Sequence, residues 1–355
     1  MLPRRRLLAF AATLIFVFFV SLSLLSSRMD NTRTPTTHFS SAPRSFRLGI
    51  VSDMDQKSKK GEFLWYSIFK TGTLTRLENG HYDIKWEEQH MLTSALGEKD
   101  RAMELSELIL YKDHLYACDD RTGIVYEIIE YNSPGQERAP YVVSRYVLTD
   151  GNGKSTNKGF KCEWATIKDE KIYFGSIGKE YTNSKTGAVE NYNPMWVKVI
   201  DQGHVSSEDW RDKYNALRAK VGMLSPGYMI HEAVGWSQYY QRWFFLPRRA
   251  SKESYNDEAD ERRGTNMLFA VDPEFREIDV RTVGPPPQPG DESETLGFSS
   301  FKFLPDNPDH IVALKTREVG QVIETYITVL SLSGEELMPL TKIDDVKFEG
   351  VEFLG

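Results

Sequence analysis

A short alternating pattern of polar and apolar residues recurs five times along the chain. Each copy starts with a Ser or Glu and continues with apolar residues two and four positions later; the starting residues are Ser106, Glu163, Glu232, Ser299 and Glu349. We call them the head residues. A period of two is typical of a strand with one buried face, so each head and its apolar partners are predicted to point the same way. Five such strands would bring the head oxygens to one axis.

The spacing of the head residues predicts the architecture. Successive heads are 50 to 69 residues apart, which suits a four-stranded blade with sizeable loops. After each of the first four heads the chain shows a strand, a polar turn and a second strand, the signature of a hairpin. Further strands are predicted at residues 124–129, 141–148, 196–200, 267–271 and 325–332. The fold is therefore predicted to be all-β, a five-bladed β-propeller.

The last copy of the pattern stops at Gly355 after a single strand, which cannot form a blade alone. The missing strands are predicted to come from the start of the domain, where residues 46–55, 62–70 and 81–88 alternate in the same way. Joining both termini in one blade would remove a free sheet edge. The alternative is a pair of stacked β-domains whose strands resemble one another by accident.

The N-terminus predicts a membrane anchor. Residues 7–25 form an uncharged apolar run of 19 residues after Arg4, Arg5 and Arg6, long enough to span a bilayer with the arginines in the cytosol. A cleaved signal peptide is the rival interpretation. We expect a cytosolic segment (1–6), a signal anchor (7–25), a Ser/Thr/Pro-rich stem (26–47) and the propeller (48–355). The protein would be a single-pass type II protein of the endoplasmic reticulum or Golgi membrane, with a secreted form after cleavage.

Composition removes several classes of function. The net charge is -7 and the basic residues are dispersed, so a general nucleic-acid binder is excluded. The seven histidines show no paired ligand spacing, and neither a P-loop nor a serine-hydrolase elbow occurs where a strand leads into a helix. Cys118 and Cys162 are the two cysteines. One bridge in an oxidising lumen stays open, but we expect two unpaired, half-buried thiols.

The five heads are three glutamates and two serines. On one axis the three glutamate charges would repel one another, at a cost in free energy, unless a cation lay among them. Oxygen ligands without His or Cys select calcium or magnesium, and an open ring suits calcium. Further charged residues flank the heads: Asp53, Asp55, Arg101, Asp119, Asp120, Arg121, Lys161 and Arg248. Carboxylates that hold a metal and a water, beside basic groups that hold an anion, suit hydrolysis of a phosphate chain. The plain alternative for each flanking residue is a surface salt bridge.

Longer motifs make the chain recognisable. KGFKCEWATIKDEKIYFG, PGYMIHEA, QRWFFLPRRAS, DERRG, GFSSFKFLP and KFEGVEFL resemble the calcium-activated nucleotidase (soluble apyrase) family, over residues 48–355. The anchor and stem resemble the vertebrate type. The resemblance implies a five-bladed propeller with axial Ca²⁺ that releases phosphate from nucleoside di- and triphosphates, from UDP and GDP more than from ADP and ATP. This sequence departs from the vertebrate pattern at its two cysteines and in the acidic loop 288–297.

Carried over residue by residue, the resemblance assigns the calcium ligands to the same five heads, Ser106, Glu163, Glu232, Ser299 and Glu349. It implies a catalytic role for Asp53, Asp55, Arg101 and Asp119 and a substrate-binding role for Asp120, Arg121, Lys161 and Arg248. In the resulting hypothesis Asp53 or Asp55 orients or deprotonates a water, and the basic groups neutralise the phosphoryl group.

Two other functions stay open at this point. A lumenal scaffold would use calcium for structure alone and bind an anionic glycan or protein, since propellers host both enzymes and scaffolds. A glycosidase-type propeller would need two carboxyl groups at a defined separation. The sequence also leaves a homodimer, the base preference and cleavage of the anchor undecided.

Overall fold

The structure is a computed structural model that describes residues 44–132, 138–154, 156–183 and 186–355. The predicted cytosolic segment and anchor, and the stem up to residue 43, lie outside the described residues. Among the residues that are described, no helix is long and apolar enough to cross a membrane.

Strands dominate the described chain, and their bounds follow in chain order. They are β1 (Arg44–Ser52), β2 (Lys59–Gly61), β3 (Leu64–Arg76), β4 (Tyr82–Ser94), β5 (Leu105–Tyr111), β6 (His114–Asp119), β7 (Ile124–Ile129), β8 (Tyr141–Val147), β9 (Trp164–Lys168), β10 (Lys171–Gly175), β11 (Tyr181–Thr182), β12 (Val189–Asn191), β13 (Trp196–Asp201), β14 (His204–Asp209), β15 (Tyr228–Ser237), β16 (Arg242–Ser251), β17 (Met267–Val271), β18 (Ile278–Thr282), β19 (Leu296–Leu304), β20 (Asn307–Val319), β21 (Val322–Ser331), β22 (Glu336–Asp344) and β23 (Phe348–Phe353). Two α-helices interrupt the described strands, α1 (Arg211–Lys220) and α2 (Asp257–Asp260).

The strands form five antiparallel blades, which confirms the predicted architecture. Blade 1 has the order β23-β1-β3-β4, with β2 also paired to β3. Blade 2 is β5-β6-β7-β8, blade 3 is β9-β10-β13-β14, blade 4 is β15-β16-β17-β18 and blade 5 is β19-β20-β21-β22. A small hairpin, β11-β12, extends from blade 3. Every further strand predicted from the alternation is present within three residues of its expected limits, and two of them match these limits fully.

Both ends of the domain meet in blade 1, as the truncated last copy predicts. Strand β1 pairs with β23 from Leu48 opposite Phe353, and with β3 from Arg44 opposite Arg76. This closure rules out two separate β-domains. The ladder begins at Arg44, four residues before the expected boundary at residue 48.

The regular alternation of side chains in the innermost strands is interrupted at the head residues. The prediction that each head points the same way as its apolar partners is therefore wrong for the heads described next. In β5 the register shifts between Leu105 and Glu107, so the head between them is the extra residue of a β-bulge. Three further heads are extra residues in the same way, namely Glu232, Ser299 and Glu349. Leu105 and Leu108 therefore pack in one core cluster although they are three residues apart. A bulge aims a side chain away from the regular ladder, which frees the heads from the blade faces.

The hydrophobic core lies between neighbouring blades. The largest cluster joins blades 3 and 4 and is rich in tryptophan, with the Trp210 and Trp243 rings 5.0 Å apart and nearly perpendicular. Four smaller clusters fill the other blade interfaces. Burial of apolar surface around the whole ring holds the innermost strands at a fixed distance from the axis.

The expectation of two free thiols is wrong, because Cys118 and Cys162 form a disulfide with a Cα–Cα distance of 6.1 Å. Both side chains are fully buried, in the core between blades 2 and 3. Cys118 lies in β6 and Cys162 directly precedes Glu163 at the start of blade 3. The two residues are 44 positions apart in sequence, so only the packing of one blade on the next brings them together.

Candidate active site

Charged side chains from all five blades meet at one end of the innermost strands. We call this group the axial cluster; ion pairs connect eight carboxylates, Asp53, Asp55, Glu104, Asp120, Glu163, Glu232, Glu318 and Glu349, to four basic groups, Arg101, Lys161, Arg248 and Lys347. Most of these side chains are buried. An excess of buried carboxylates is costly, and a bound cation would offset that cost.

Arg248 connects the carboxylates of blades 4, 5 and 1. Its Nη1 contacts Glu232 and lies 2.7 Å from Glu349 Oε1, and its Nη2 lies 2.5 Å from Glu318 Oε1. The register between β15 and β16 skips both Arg248 and Glu232, so paired irregularities turn the two side chains out of the ladder. Burial lowers the pKa of Arg248, but the three carboxylates outweigh it and hold that pKa well above its usual value.

Lys347 joins the Arg248 group to the start of blade 1. Its Nζ lies 2.7 Å from Asp53 Oδ2, 3.3 Å from Glu349 Oε1 and 3.5 Å from Glu318 Oε1. Burial raises the pKa of Asp53 and, more strongly, that of Glu349, although Lys347 opposes both shifts. Lys347 was not among the residues predicted from the sequence. A usable signal existed, since a lysine stands two residues before Glu349 just as one stands two residues before Glu163.

Lys161 forms the corresponding link between blades 2 and 3. Its Nζ contacts Asp120 Oδ2 and lies 2.5 Å from Glu163 Oε1. Burial raises the pKa of Glu163 to about 8 against the attraction of Lys161. Burial also acts on Asp120, but there Lys161 outweighs it and the pKa falls below its ordinary value. The two carboxylates therefore share one ammonium group.

Three carboxylates form the tightest acidic group in the described chain. Asp53, Glu104 and Asp120 each place an oxygen within 4.8 Å of the other two. Arg101 borders the group, with Nε 2.6 Å from Glu104 Oε1 and Nη2 2.9 Å from Asp55 Oδ1. Burial raises the pKa of Glu104 to about 8, and repulsion from Asp120 and Asp53 adds to the shift. Glu104 was not among the site residues predicted from the sequence, although it lies two positions before the head Ser106.

Asp119 and Arg121 shape the turn that follows β6. Asp119 Oδ1 accepts hydrogen bonds from the backbone N–H of Arg121 and Thr122, and its Oδ2 accepts one from Met103 N–H at 2.9 Å. Burial raises the pKa of Asp119 to about 6. Arg121 Nη2 lies 3.8 Å from Glu98 Oε1. Asp119 thus holds the turn that presents its neighbours; the catalytic role of Asp119 and the substrate role of Arg121 stay predictions.

The two serine heads are fully buried and poorly satisfied. Ser106 Oγ makes one long hydrogen bond, 3.4 Å, to the carbonyl oxygen of Glu104. Ser299 Oγ has no hydrogen-bond partner among the described residues, and neither has Asp120 Oδ1. Buried polar atoms without partners are rare in native proteins. A hard cation bound at these oxygens would satisfy them.

The three glutamate heads lie within one electrostatic network. Glu232 and Glu349 share one nitrogen of Arg248, and repulsion between Glu163 and Glu232 contributes to the raised pKa of Glu163. The donor set around the axis consists of carboxylate and hydroxyl oxygens, which calcium prefers. The oxygen chemistry suits calcium, but each of these glutamates is paired with a basic group, and the described carboxylates close enough together to hold one ion are the three of the acidic group described above.

A second polar group, missed by the sequence analysis, follows the heads along the same innermost strands. Ser300 Oγ donates to both oxygens of Glu107, at 2.9 and 3.0 Å, and Lys302 Nζ lies 3.1 Å from Glu107 Oε2. Glu352 accepts from the backbone N–H of Leu110 in blade 2. Burial raises the pKa of Glu107 to about 7. This group ties blades 1, 2 and 5 together below the axial cluster.

A cavity of about 720 Å³ opens beside the axial cluster, between blades 3 and 4. Its inner end is lined by Lys161, Glu163, Glu232 and Arg248. The volume falls in the range of small-molecule sites and would hold a whole nucleotide. The predicted residues Lys161 and Arg248 thus meet two of the predicted calcium ligands at one cavity wall.

Fold and site together define a five-bladed propeller whose axis carries a buried cluster of carboxylates and basic groups, beside a cavity that Lys161 and Arg248 line. The apyrase family model matches residues 52–354, and the chain belongs to this family. It is therefore a nucleotide-hydrolysing enzyme, which decides against the scaffold and glycosidase alternatives.

Known relatives are similar in sequence to this chain along most of its length. Soluble calcium-activated nucleotidase 1 of Mus musculus is 46% identical over 314 residues, which cover 87% of this chain and 74% of that protein. The apyrase of Cimex lectularius is 41% identical over 316 residues, covering 87% of this chain and 82% of that protein. Among solved structures, a β-1,3-galactosidase of glycoside hydrolase family 43 is 7% identical, with a TM-score of 0.36 over 79% of this chain and 91% of that one. That likeness is too weak to bear on function.

Proposed function

We propose that the protein hydrolyses nucleoside di- and triphosphates in a calcium-dependent reaction that releases inorganic phosphate. The observation that carries the proposal is the axial cluster, whose excess of buried carboxylates lies at the inner end of a nucleotide-sized cavity. Membership of the apyrase family supports the reaction, and the name of the mouse relative as a calcium-activated nucleotidase supports the metal.

The calcium ion would be held by the five heads, Ser106, Glu163, Glu232, Ser299 and Glu349. The hydroxyl of Ser299, which has no hydrogen-bond partner in the described part of the chain, and the raised pKa values of Glu163 and Glu349 support this assignment, because a bound cation would stabilise each of these groups. When bound, calcium supplies positive charge to the phosphate oxygens.

The chain's own residues would hold and activate the attacking water. Asp53, Glu104 and Asp120 each place an oxygen within 4.8 Å of the other two, so one water molecule could accept or donate hydrogen bonds to more than one of them. Lys161 holds the pKa of Asp120 below its ordinary value, and Asp120 Oδ1 is without a partner among the described residues, so it would accept a hydrogen bond from the water. Glu104, with its raised pKa, would exchange a proton near neutral pH. Asp55 would hold Arg101 in place.

The basic groups of the axial cluster would stabilise the charge that develops on the phosphoryl group. Lys161 and Arg248 line the cavity, and Arg101 contacts Glu104 of the acidic group. Pre-positioned cations of this kind lower the barrier of phosphoryl transfer because they need no reorganisation during the reaction. Water attacks directly, so no phosphorylated enzyme would form. Trapping a phosphoaspartate would disprove this step.

We also propose that UDP and GDP are better substrates than ADP and ATP, as the sequence resemblance implies. The test is phosphate release by the full-length protein from these four nucleotides, each with calcium, magnesium or chelator. We expect release with calcium, fastest from UDP and GDP, and none with chelator. Equal activity in chelator would refute the calcium requirement, and no release from any nucleotide would refute the function.

For the location we propose a single-pass type II protein of the secretory pathway with a lumenal catalytic domain. The apolar run at residues 7–25 supports it, and so does the buried disulfide, since disulfides persist in oxidising compartments. A C-terminal tag should be protected from protease in intact microsomes and lost after detergent is added. Digestion in intact microsomes would contradict the proposed topology, and N-terminal sequencing would show whether the anchor is cleaved.

A further inference from the structure

The cavity continues well beyond the axial cluster, and its outer end differs in chemistry from its inner end. The inner end presents Lys161 and Arg248, groups suited to phosphate. The outer end is lined by two tyrosines, Tyr181 of β11 and Tyr255 of the segment before α2. The phosphate chain belongs at the inner end, next to the carboxylates of the axial cluster, although two lysines also lie beside the tyrosine rings. Some other portion of the substrate must therefore account for the outer part.

We propose that the outer end binds the nucleobase, which stacks on the ring of Tyr181. The inference rests on the proposed nucleotide hydrolysis and assigns a place to the part of the substrate that does not react. Base stacking on an aromatic side chain is effective for every base, because each base has a flat π-face. Tyr181 would thus act on binding and on base recognition, far from the water-activating carboxylates.

The two rings have different freedom, which identifies the stacking partner. Tyr255 is held edge-to-face against Tyr228 at 5.2 Å, and Lys179 Nζ lies 4.2 Å from the centre of its ring. Tyr181 has Lys158 Nζ 5.5 Å from the centre of its ring, makes no such edge-to-face contact among the described residues, and remains 46% exposed. Tyr255 therefore forms a fixed wall, and Tyr181 offers the ring surface that a base would cover.

Two exposed carboxylates on the same rim would make the subsite prefer some nucleobases over others. Glu190, in β12, accepts a hydrogen bond from Asn183 at 3.1 Å through Oε1, and Asp257 begins α2. Both line the cavity. An ionised carboxylate only accepts hydrogen bonds. It would favour guanine and uracil, which carry a ring N–H on their pairing edge, over adenine, whose ring nitrogen there is an acceptor.

The main test compares Tyr181→Ala with Tyr192→Ala. Tyr192 is 47% exposed and packs against Arg211 outside the cavity lining, so it is a matched control. Measurements are KM and kcat for UDP and GDP, and the inhibition constant of inorganic tripolyphosphate, which has no base. For Tyr181→Ala we expect a rise of about tenfold in KM, in line with the loss of one stacking contact, with little change in kcat or in tripolyphosphate inhibition.

Each outcome is decisive. An unchanged KM, an equal loss of tripolyphosphate inhibition, or the same effect from Tyr192→Ala would overturn the subsite. If the unmodified protein hydrolyses no nucleotide, the proposed function fails instead, so the two failures are distinguishable. In a second measurement, Asp257→Asn combined with Glu190→Gln should lower the ratio of kcat/KM for GDP over ADP by about tenfold. An unchanged ratio would overturn the carboxylate preference.

Discussion

The disulfide between Cys118 and Cys162 should raise the free energy of unfolding by an amount that depends on the number of residues between the two cysteines. The cysteines are 44 residues apart, and the entropy of closing a loop of that length corresponds to about 4 kcal/mol at 25 °C. Reduction breaks the S–S bond and adds two hydrogen atoms, so it leaves the surrounding core packing almost unchanged. We therefore expect the free energy of unfolding to fall by about 4 kcal/mol in the reduced protein.

The assay is urea unfolding followed by tryptophan fluorescence, on oxidised protein and on protein reduced in denaturant and refolded with reductant. The double variant Cys118→Ala/Cys162→Ala is the control and should give one curve whether or not reductant is present. It should be somewhat less stable than the reduced protein, because two side chains are shortened in a fully buried cluster. A difference below about 1 kcal/mol between oxidised and reduced protein would refute the loop-entropy reasoning.

The same bridge should matter for the site. It joins the strand that ends at Asp119 to the segment that carries Lys161 and Glu163, and this segment belongs to no strand. Reduction should therefore weaken calcium activation of nucleotide hydrolysis. If the calcium concentration for half-maximal activity is the same in both redox states, the bridge contributes to stability alone.

Three further outcomes are expected from the axial residues. Glu163→Gln should raise the calcium concentration needed for half-maximal activity at least tenfold, whereas the exposed control Glu274→Gln should not; equal calcium curves would reject Glu163 as a ligand. Arg248→Met should lower the free energy of unfolding by about 3 kcal/mol in chelator, since it leaves buried carboxylates uncompensated. Added calcium should restore part of that stability. Urea unfolding curves that calcium does not shift would contradict a cation at these carboxylates. Glu107, whose pKa burial raises from 4.5 to about 7, holds a proton in the folded state that the unfolded state has released. Folding stability should therefore fall by about 3 kcal/mol as the pH rises from about 4.5 to 7, and Glu107→Gln should lack this loss; parallel pH profiles of the two proteins in chelator would show the sign to be wrong.

The ring architecture could be predicted from the sequence because each blade is formed by residues that are close together along the chain. Each blade carries its own alternating strands and turns, and the five heads mark the same strand of every blade. The unfinished last copy indicated that the ring closes through the N-terminal strands, which β1 and β23 confirm. The oxygen chemistry of the heads was also readable, because it depends on residue type. These properties need only the order of residues along one strand or hairpin.

The tertiary structure decided which side chains meet. Lys347 reaches Asp53 across 294 residues, Ser300 reaches Glu107 across 193, and Arg248 reaches Glu349 across 101. The disulfide and the cavity likewise depend on the packing of one blade against the next. The bulges at four heads broke the predicted alternation, because a bulge is a property of two paired strands and not of one. Local periodicity specifies a strand, whereas the geometry of the ring specifies the site.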